Sequence, residues 1–252
     1  MTNKDKVFLI TGAARGIGAA AVRRLIGDGA KVIAHYNSSE NEAAALVKEF
    51  GPENLKTLRA NLEIDAEIDA LWDQALGWQG RLDGLVNNAA LMVSSAPEAP
   101  EDQWREDWRR TLKVNTQAVA DLSRHAILYF KDRGQGGAIV NIASRAGFRG
   151  DAPDSMHYAA SKGAVIALTR SIAKGYAKHG ILAYTVAPGW VATERVLPTL
   201  TKPGNEFLLG EIPMGEAAPP EEVANIIAFL LSGQARHATG ATFDINGASY
   251  FH

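Results

Sequence analysis

Tyr158 and Lys162 stand four residues apart, the spacing that puts two side chains on one face of a helix. A phenol is too weak an acid to deliver a proton quickly at neutral pH, and a neighbouring ammonium draws its pKa toward the working range. The pair reads as a proton donor with its tuning group, suited to the alkoxide that hydride transfer to a carbonyl leaves behind. Surface helices carry the same spacing, so position must decide. Ser144 lies fourteen residues before Tyr158, at the end of an apolar run, where a hydroxyl can hydrogen-bond a carbonyl oxygen and stabilise a developing oxyanion. Near the start, TGAARGIG places Gly12, Gly16 and Gly18 directly after the apolar VFLI. A tight turn that must also approach a pyrophosphate needs residues without a Cβ, and a helix opening at Ile17 would aim its N–H groups at the phosphates. A plain strand-to-helix turn would carry glycine too, but the place after a first strand and before an amphipathic helix favours nucleotide binding.

The elements that must position these residues alternate. Short β-branched runs at Val7 to Ile10, Lys31 to His35, Leu55 to Leu62, Gly84 to Ala89, Ala138 to Ser144, Leu182 to Pro188 and Thr242 to Gly247 predict seven strands. Between them, helical patterns run at Ile17 to Gly27, Ser39 to Glu49, Ala66 to Leu76, Gln103 to Tyr129, Tyr158 to His179 and Glu221 to Leu231. Strand and helix in alternation predict an α/β fold, a single-domain, doubly wound parallel sheet of the Rossmann type with helices on both faces. No linker or repeat divides the chain, so 1–252 is expected to form one domain. Six of its ten prolines fall between Pro188 and Pro220, and a long irregular region there predicts a substrate loop at about 190–215.

Composition excludes several chemistries. The 252 residues include no cysteine, which removes disulfides, thiolate metal centres and thiol nucleophiles; no metal cluster is evident. Basic and acidic residues number 26 and 28, so no footprint for nucleic acid is expected. The short apolar run at the N-terminus breaks at Thr11-Gly12 and no stretch is long enough to span a bilayer, which together predict a cytoplasmic protein without a membrane partner.

Charge also bears on the cofactor. The acidic residue that would hold an adenosine ribose 2′-hydroxyl is due about 20 residues beyond the glycines. That count lands at Tyr36, Asn37 and Ser38, with no carboxylate before Glu40. Arg15, inside the glycine turn, can offer a charge-assisted bond to a 2′-phosphate, and Asn37 and Ser38 can add neutral donors. NADP(H) is therefore expected over NAD(H), the alternative being that Arg15 is a solvated surface charge.

TGAARGIG, Asn87 to Ala89, Asn115, Ser144, the Tyr158/Lys162 pair and Pro188-Gly189 follow one another in an order that resembles the short-chain dehydrogenase/reductase family, nearest in pattern to its 3-oxoacyl-carrier-protein reductase group. The resemblance implies that Ser144 polarises the carbonyl, Tyr158 donates the proton, Lys162 also binds the nicotinamide ribose, and Asn115 holds a water that links Lys162 to solvent. It further implies cofactor contacts from Asn61 and Leu62 at the adenine edge, from Asn88 and Ala89, and from Pro188, Gly189, Val191 and Thr193 at the carboxamide. Departures from the pattern are Ala90 for a glycine, one extra residue between Phe148 and His157, Tyr184 for an asparagine and Leu182 for an arginine. The substrate pocket is expected to draw on Met92, Phe148, Trp190, Val196, Leu197, Phe207 and Leu208, a mainly apolar set with Arg149, Glu194 and Arg195 nearby. The family pattern implies a homotetramer. The reaction expected is reduction of a ketone or 3-oxo group by NADPH, or the reverse oxidation. A pteridine-type reductase, suggested by the HYNSS segment, and a non-catalytic NADP-binding sensor are the alternatives; the former tends to place an acid at Ser144, and the latter needs no proton relay.

Overall fold

The computed structural model describes residues 3–252. Seven strands, β1 (Val7–Ile10), β2 (Lys31–Tyr36), β3 (Leu55–Arg59), β4 (Gly84–Asn87), β5 (Gly137–Ile142), β6 (Ile181–Pro188) and β7 (Thr242–Ile245), form one sheet in the order β3-β2-β1-β4-β5-β6-β7. Every pairing is parallel, as right-handed crossovers through helices require. Within β1 the alternation of side chains divides the core: Phe8 and Ile10 join Leu25, Val32 and Ile227 on one face, and Val7 and Leu9 join Leu71, Leu122 and Phe130 on the other. Burial on both faces explains why the strands read as unbroken apolar runs.

The helices are α1 (Gly16–Gly27), α2 (Glu40–Phe50), α3 (Asp65–Gln79), α4 (Glu101–Leu112), α5 (Ala118–Arg133), α6 (Ala146–Arg149), α7 (Met156–Tyr176), α8 (Leu197–Leu200), α9 (Glu206–Gly210) and α10 (Pro220–Leu231). Two differences from the sequence expectation matter for the site. The single helix expected over Gln103 to Tyr129 is two helices joined by a wide π-turn at Lys113–Gln117, which buries Asn115 completely. The region expected to be an irregular lid contains the short helices α8 and α9, and is tied to the body where Val191 pairs with Ala218. Among the described residues no helix is long and apolar enough to cross a membrane.

Strand order reverses between β1 and β4, and a parallel sheet opens a crevice beyond its carboxyl edge at such a reversal. The glycine turn leaves β1 there, the Asn88 segment leaves β4, Ser144 follows β5 and Pro188 ends β6. The topology thus delivers to one edge residues far apart in the chain.

Candidate active site

A cleft of about 470 Å³ runs along that edge. Its nucleotide end is built from Gly12, Arg15, Gly16, Ile17, Tyr36, Asn37, Ser38, Asn61 and Leu62, and its central part from Asn88, Ala89, Pro188, Gly189, Val191 and Thr193. Ser144, Tyr158 and Lys162 face the same space. Two expected residues stand behind its wall: Gly18, packed under Gly12, and Asn115.

The glycine turn is tight for identifiable reasons. Gly12 has φ +61°, and a Cβ there would lie 2.8 Å from the Cα of Ala89. Thr11 Oγ1 accepts the N–H groups of Asn88 and Ala89, both at 3.0 Å, while Asn88 Nδ2 donates back to the carbonyls of Thr11 and Gly12. Asn88 therefore clamps the turn. His35, buried in β2, finishes it: Gly12 N–H donates to Nδ1 at 3.1 Å and Nε2 lies 3.0 Å from the Ala60 carbonyl, which fixes the neutral tautomer with the proton on Nε2. Burial lowers the His35 pKa to about 4, partly opposed by the bond to Ala60. Neither Thr11 nor His35 stands out in the sequence; the available signal is a polar residue inside an otherwise fully buried strand pattern.

These features fit a dinucleotide. No side chain caps α1 and its first turn holds no acid, so its opening N–H groups are available to phosphate oxygens. Arg15 is exposed beside them. Asn61 Oδ1 accepts from Glu63 N–H at 3.0 Å, closing a local turn at the cleft wall, and Glu63 is paired with Arg110. No carboxylate occurs among Tyr36, Asn37, Ser38 and Ser39.

At the other end, Tyr158 and Ser144 line the cleft together, close enough for the Ser144 hydroxyl to act on the Tyr158 phenol, and Ser144 Oγ accepts the N–H of Ala146 at 3.1 Å. Lys162 Nζ sits 5.6 Å from the centre of the Tyr158 ring and donates to the Ile142 carbonyl at 2.7 Å. Burial opposes the pull expected of Lys162 on the phenol. It pushes Tyr158 up to about 12, with Ser144 opposing, and takes Lys162 down to about 8. Desolvation of the phenolate is the largest influence on Tyr158, and the Lys162 ammonium lies at the ring face and is already engaged by a carbonyl.

Asn115 uses its whole side chain locally. Oδ1 accepts Leu91 N–H at 2.7 Å, and Nδ2 donates to the Leu91 carbonyl at 2.9 Å and to Ser161 Oγ at 3.2 Å. It thereby holds the Ala90-Leu91 loop against α7. Between Phe148 and His157 the chain makes a short turn, Pro153–Ser155, pinned by Ser94 and Ser95 to Asp154. Tyr184 is core, donating to the Ala235 carbonyl at 2.9 Å. The apolar pocket is smaller than expected. Met92, Trp190 and Val196 line the cleft, but Phe148 stacks on His252 at 4.1 Å and Phe207 is largely exposed. Arg145, Arg149 and Arg195 line this end in their place. His157, next to Tyr158, points away and packs against Trp108.

Sheet order, glycine turn and reaction-centre side chains define an α/β oxidoreductase that takes a dinucleotide. The family model described as enoyl-(acyl carrier protein) reductase matches residues 12–248. The 3-oxoacyl-(acyl-carrier-protein) reductase FabG of Escherichia coli is 33% identical over 250 residues, covering 99% of each chain. A 3beta-hydroxysteroid dehydrogenase 1 of Eggerthella lenta is 36% identical over 251 residues, covering 97% of this chain and 93% of its own. The crystal structure of a 3-ketoacyl-(acyl-carrier-protein) reductase from Brucella melitensis complexed with NADH superimposes with a TM-score of 0.88 at 30% identity, over 98% of this chain and 99% of that one. The chain belongs to the short-chain dehydrogenase/reductase family and is an NAD(P)-dependent oxidoreductase acting on CH–OH and C=O groups of small molecules.

Proposed function

We propose that the protein reduces a ketone or 3-oxo group to an alcohol, or runs the reverse oxidation, with NADPH preferred over NADH. The observation that carries this reading is the meeting of Ser144, Tyr158 and Lys162 in one cleft with the glycine turn. A bound nicotinamide supplies the hydride. Ser144 donates to the carbonyl oxygen and holds its developing charge. Tyr158 then gives its phenolic proton to that oxygen, a far stronger base than a phenolate. Burial keeps Tyr158 protonated until that moment. Lys162, whose pKa still lies above neutrality, stabilises the phenolate and orients the nicotinamide ribose. Asn115 serves the return of the proton by holding a relay water through its main chain in the wide turn, because its side chain is committed to Leu91 and Ser161. Pro188, Gly189, Val191 and Thr193 present the nicotinamide ring, Thr193 lying against Gly16 and so joining both ends of the cofactor site.

The preference for NADPH is supported by Arg15 and by the absence of a carboxylate at Tyr36 to Ser39. A cytoplasmic homotetramer is part of the reading, supported by the exposed apolar side chains Leu112, Leu128 and Met156 on the long helices. A panel of 3-oxoacyl thioesters, aromatic ketones, sugars and pterins, each with NADPH and with NADH, tests the function. Reduction of a ketone or thioester with at least about tenfold higher kcat/KM for NADPH is expected. Turnover of pterins alone, or a clear preference for NADH, would contradict it.

A further inference from the structure

The substrate end of the cleft holds arginines that the reaction does not use. Arg145 follows Ser144 directly, and its side chain is 5% exposed. A buried guanidinium ordinarily has a carboxylate and a full set of hydrogen bonds, because taking its charge out of water is costly. Arg145 lacks both. Among the described residues its Nη1 is buried without a hydrogen-bond partner. Its Nη2 lies 3.5 Å from Glu211 Oε2, at the outer limit of a hydrogen bond, and that same oxygen lies 3.6 Å from Arg149 Nη2. Two guanidiniums thus share one carboxylate, which is itself 42% exposed just beyond α9.

A second group points the same way. The indole Nε1 of Trp190 is also buried without a partner, and Trp190 lines the same end of the cleft. The two chains run close together, since a Cβ on Gly189 would lie 3.5 Å from Arg145 Cδ. Both unpaired groups are donors with no capacity to accept. Such a set is satisfied by an acceptor carrying negative charge. The other charged groups on this part of the wall are Arg195, which donates to the Met92 carbonyl at 2.7 Å, and the carboxylates Asp151 and Glu194. The three arginines face Asp151, Glu194 and Glu211, the last of these shared between two guanidiniums. Burial, and after it repulsion from Arg149, lowers the pKa of Arg145, with Glu211 and Asp151 only partly opposing.

We propose that Arg145, with Arg149 and the Trp190 indole N–H, forms a pocket for an anionic group, carboxylate or phosphate, borne by the carbonyl substrate a few bonds from its reacting carbon. Arg145 and Ser144 are neighbours in the chain, so the anion and the carbonyl must be close in the substrate. This rests on the reductase reading above and narrows its substrate class from apolar ketones to acidic ones. Arg145 is then a specificity-determining residue, and Glu211 is the group the substrate anion displaces.

Matched pairs of small carbonyl compounds test it: acetoacetate against methyl acetoacetate, and dihydroxyacetone phosphate against dihydroxyacetone, each with NADPH. At least about tenfold higher kcat/KM for one anionic member over its neutral twin is expected, and the pair that shows it identifies carboxylate or phosphate. Arg145→Gln should remove that advantage, by about 100-fold in kcat/KM, while changing the neutral twin by less than about threefold; Arg145→Lys should recover part of it. A purely structural arginine would lower both twins alike. Where Arg145→Gln fails to fold, the wild-type ratio stands and Arg149→Gln, more exposed, should lower the anionic twin alone by several-fold. Equal or better turnover of both neutral twins would overturn the anion pocket and leave the reductase reading intact. Should none of the four compounds, nor any ketone or thioester of the panel, be reduced by protein that binds NADPH, the reductase reading fails. Calorimetric titration of the NADPH complex with each pair then decides the pocket, tighter binding of an anionic twin supporting it and equal binding overturning it.

Discussion

His35 makes the cofactor turn sensitive to acid. Its Nδ1 accepts the Gly12 N–H, and protonation would turn that acceptor into a donor facing another donor. The neutral ring is therefore required by the fold. In the unfolded chain His35 titrates near 6.5, whereas in the folded protein it does so at about 4. Between those values the unfolded state binds more protons, so stability rises with pH through the window and falls as the solution is acidified from 6.5 toward 4. At 1.36 kcal/mol per unit, the full shift corresponds to about 3 kcal/mol, lost progressively across the window and complete near its lower end. The perturbation that isolates it is His35→Gln, whose amide can accept from Gly12 and donate to Ala60 without titrating. Urea denaturation of both proteins at intervals from pH 7.5 to 4 should show the wild type losing about 3 kcal/mol more than the variant, with NADPH affinity falling in parallel. Parallel stability curves for the two proteins across that range would refute the assignment of His35 as the neutral buttress of the turn.

Further outcomes follow from the same geometry. Arg15→Ala should lower kcat/KM with NADPH by about tenfold and leave NADH within about twofold, since a single exposed charge-assisted bond is removed; equal losses with both cofactors would show that Arg15 does not meet the 2′-phosphate. Asn115→Ala leaves the Leu91 N–H and carbonyl without partners, and should cost about 2 to 4 kcal/mol in chemical denaturation. An unchanged denaturation midpoint would show that those bonds are replaced by water.

Much of the fold is legible in the sequence because both faces of a parallel sheet are buried. Runs such as VFLI and LVN, bounded by turn residues, have few other structures open to them. The glycine turn, Ser144 and the Tyr158/Lys162 pair are legible for a different reason, since their chemistry restricts residue type at fixed spacing. What escapes has a physical cause in each case. One extra residue in the turn at Lys113–Gln117 widens a helix without breaking its apolar pattern, so α4 and α5 read as one. The helices α8 and α9 are too short for periodicity to register. His35 acts through a partner 23 residues away, which spacing along the chain cannot reveal. The pKa of Tyr158 depends on how much water its surroundings exclude, and helical spacing says only that Lys162 is near. The arginine-lined wall is missed because α6, four residues long, decides which of Arg145, Phe148 and Arg149 meets the cleft. Phe148 turns to the C-terminal segment and the arginines do not.

The central claim, that Tyr158 delivers the proton in a carbonyl reduction, is tested most directly by single-turnover reduction with Tyr158→Phe, read alongside its NADPH dissociation constant. The phenyl ring keeps the packing and removes only the hydroxyl that meets Ser144. Hydride transfer should slow by about three orders of magnitude or more, since general-acid assistance and the bond to the developing oxyanion are lost together. NADPH binding should stay within about threefold of wild type. A variant that reduces substrate at a near-normal rate would contradict the account.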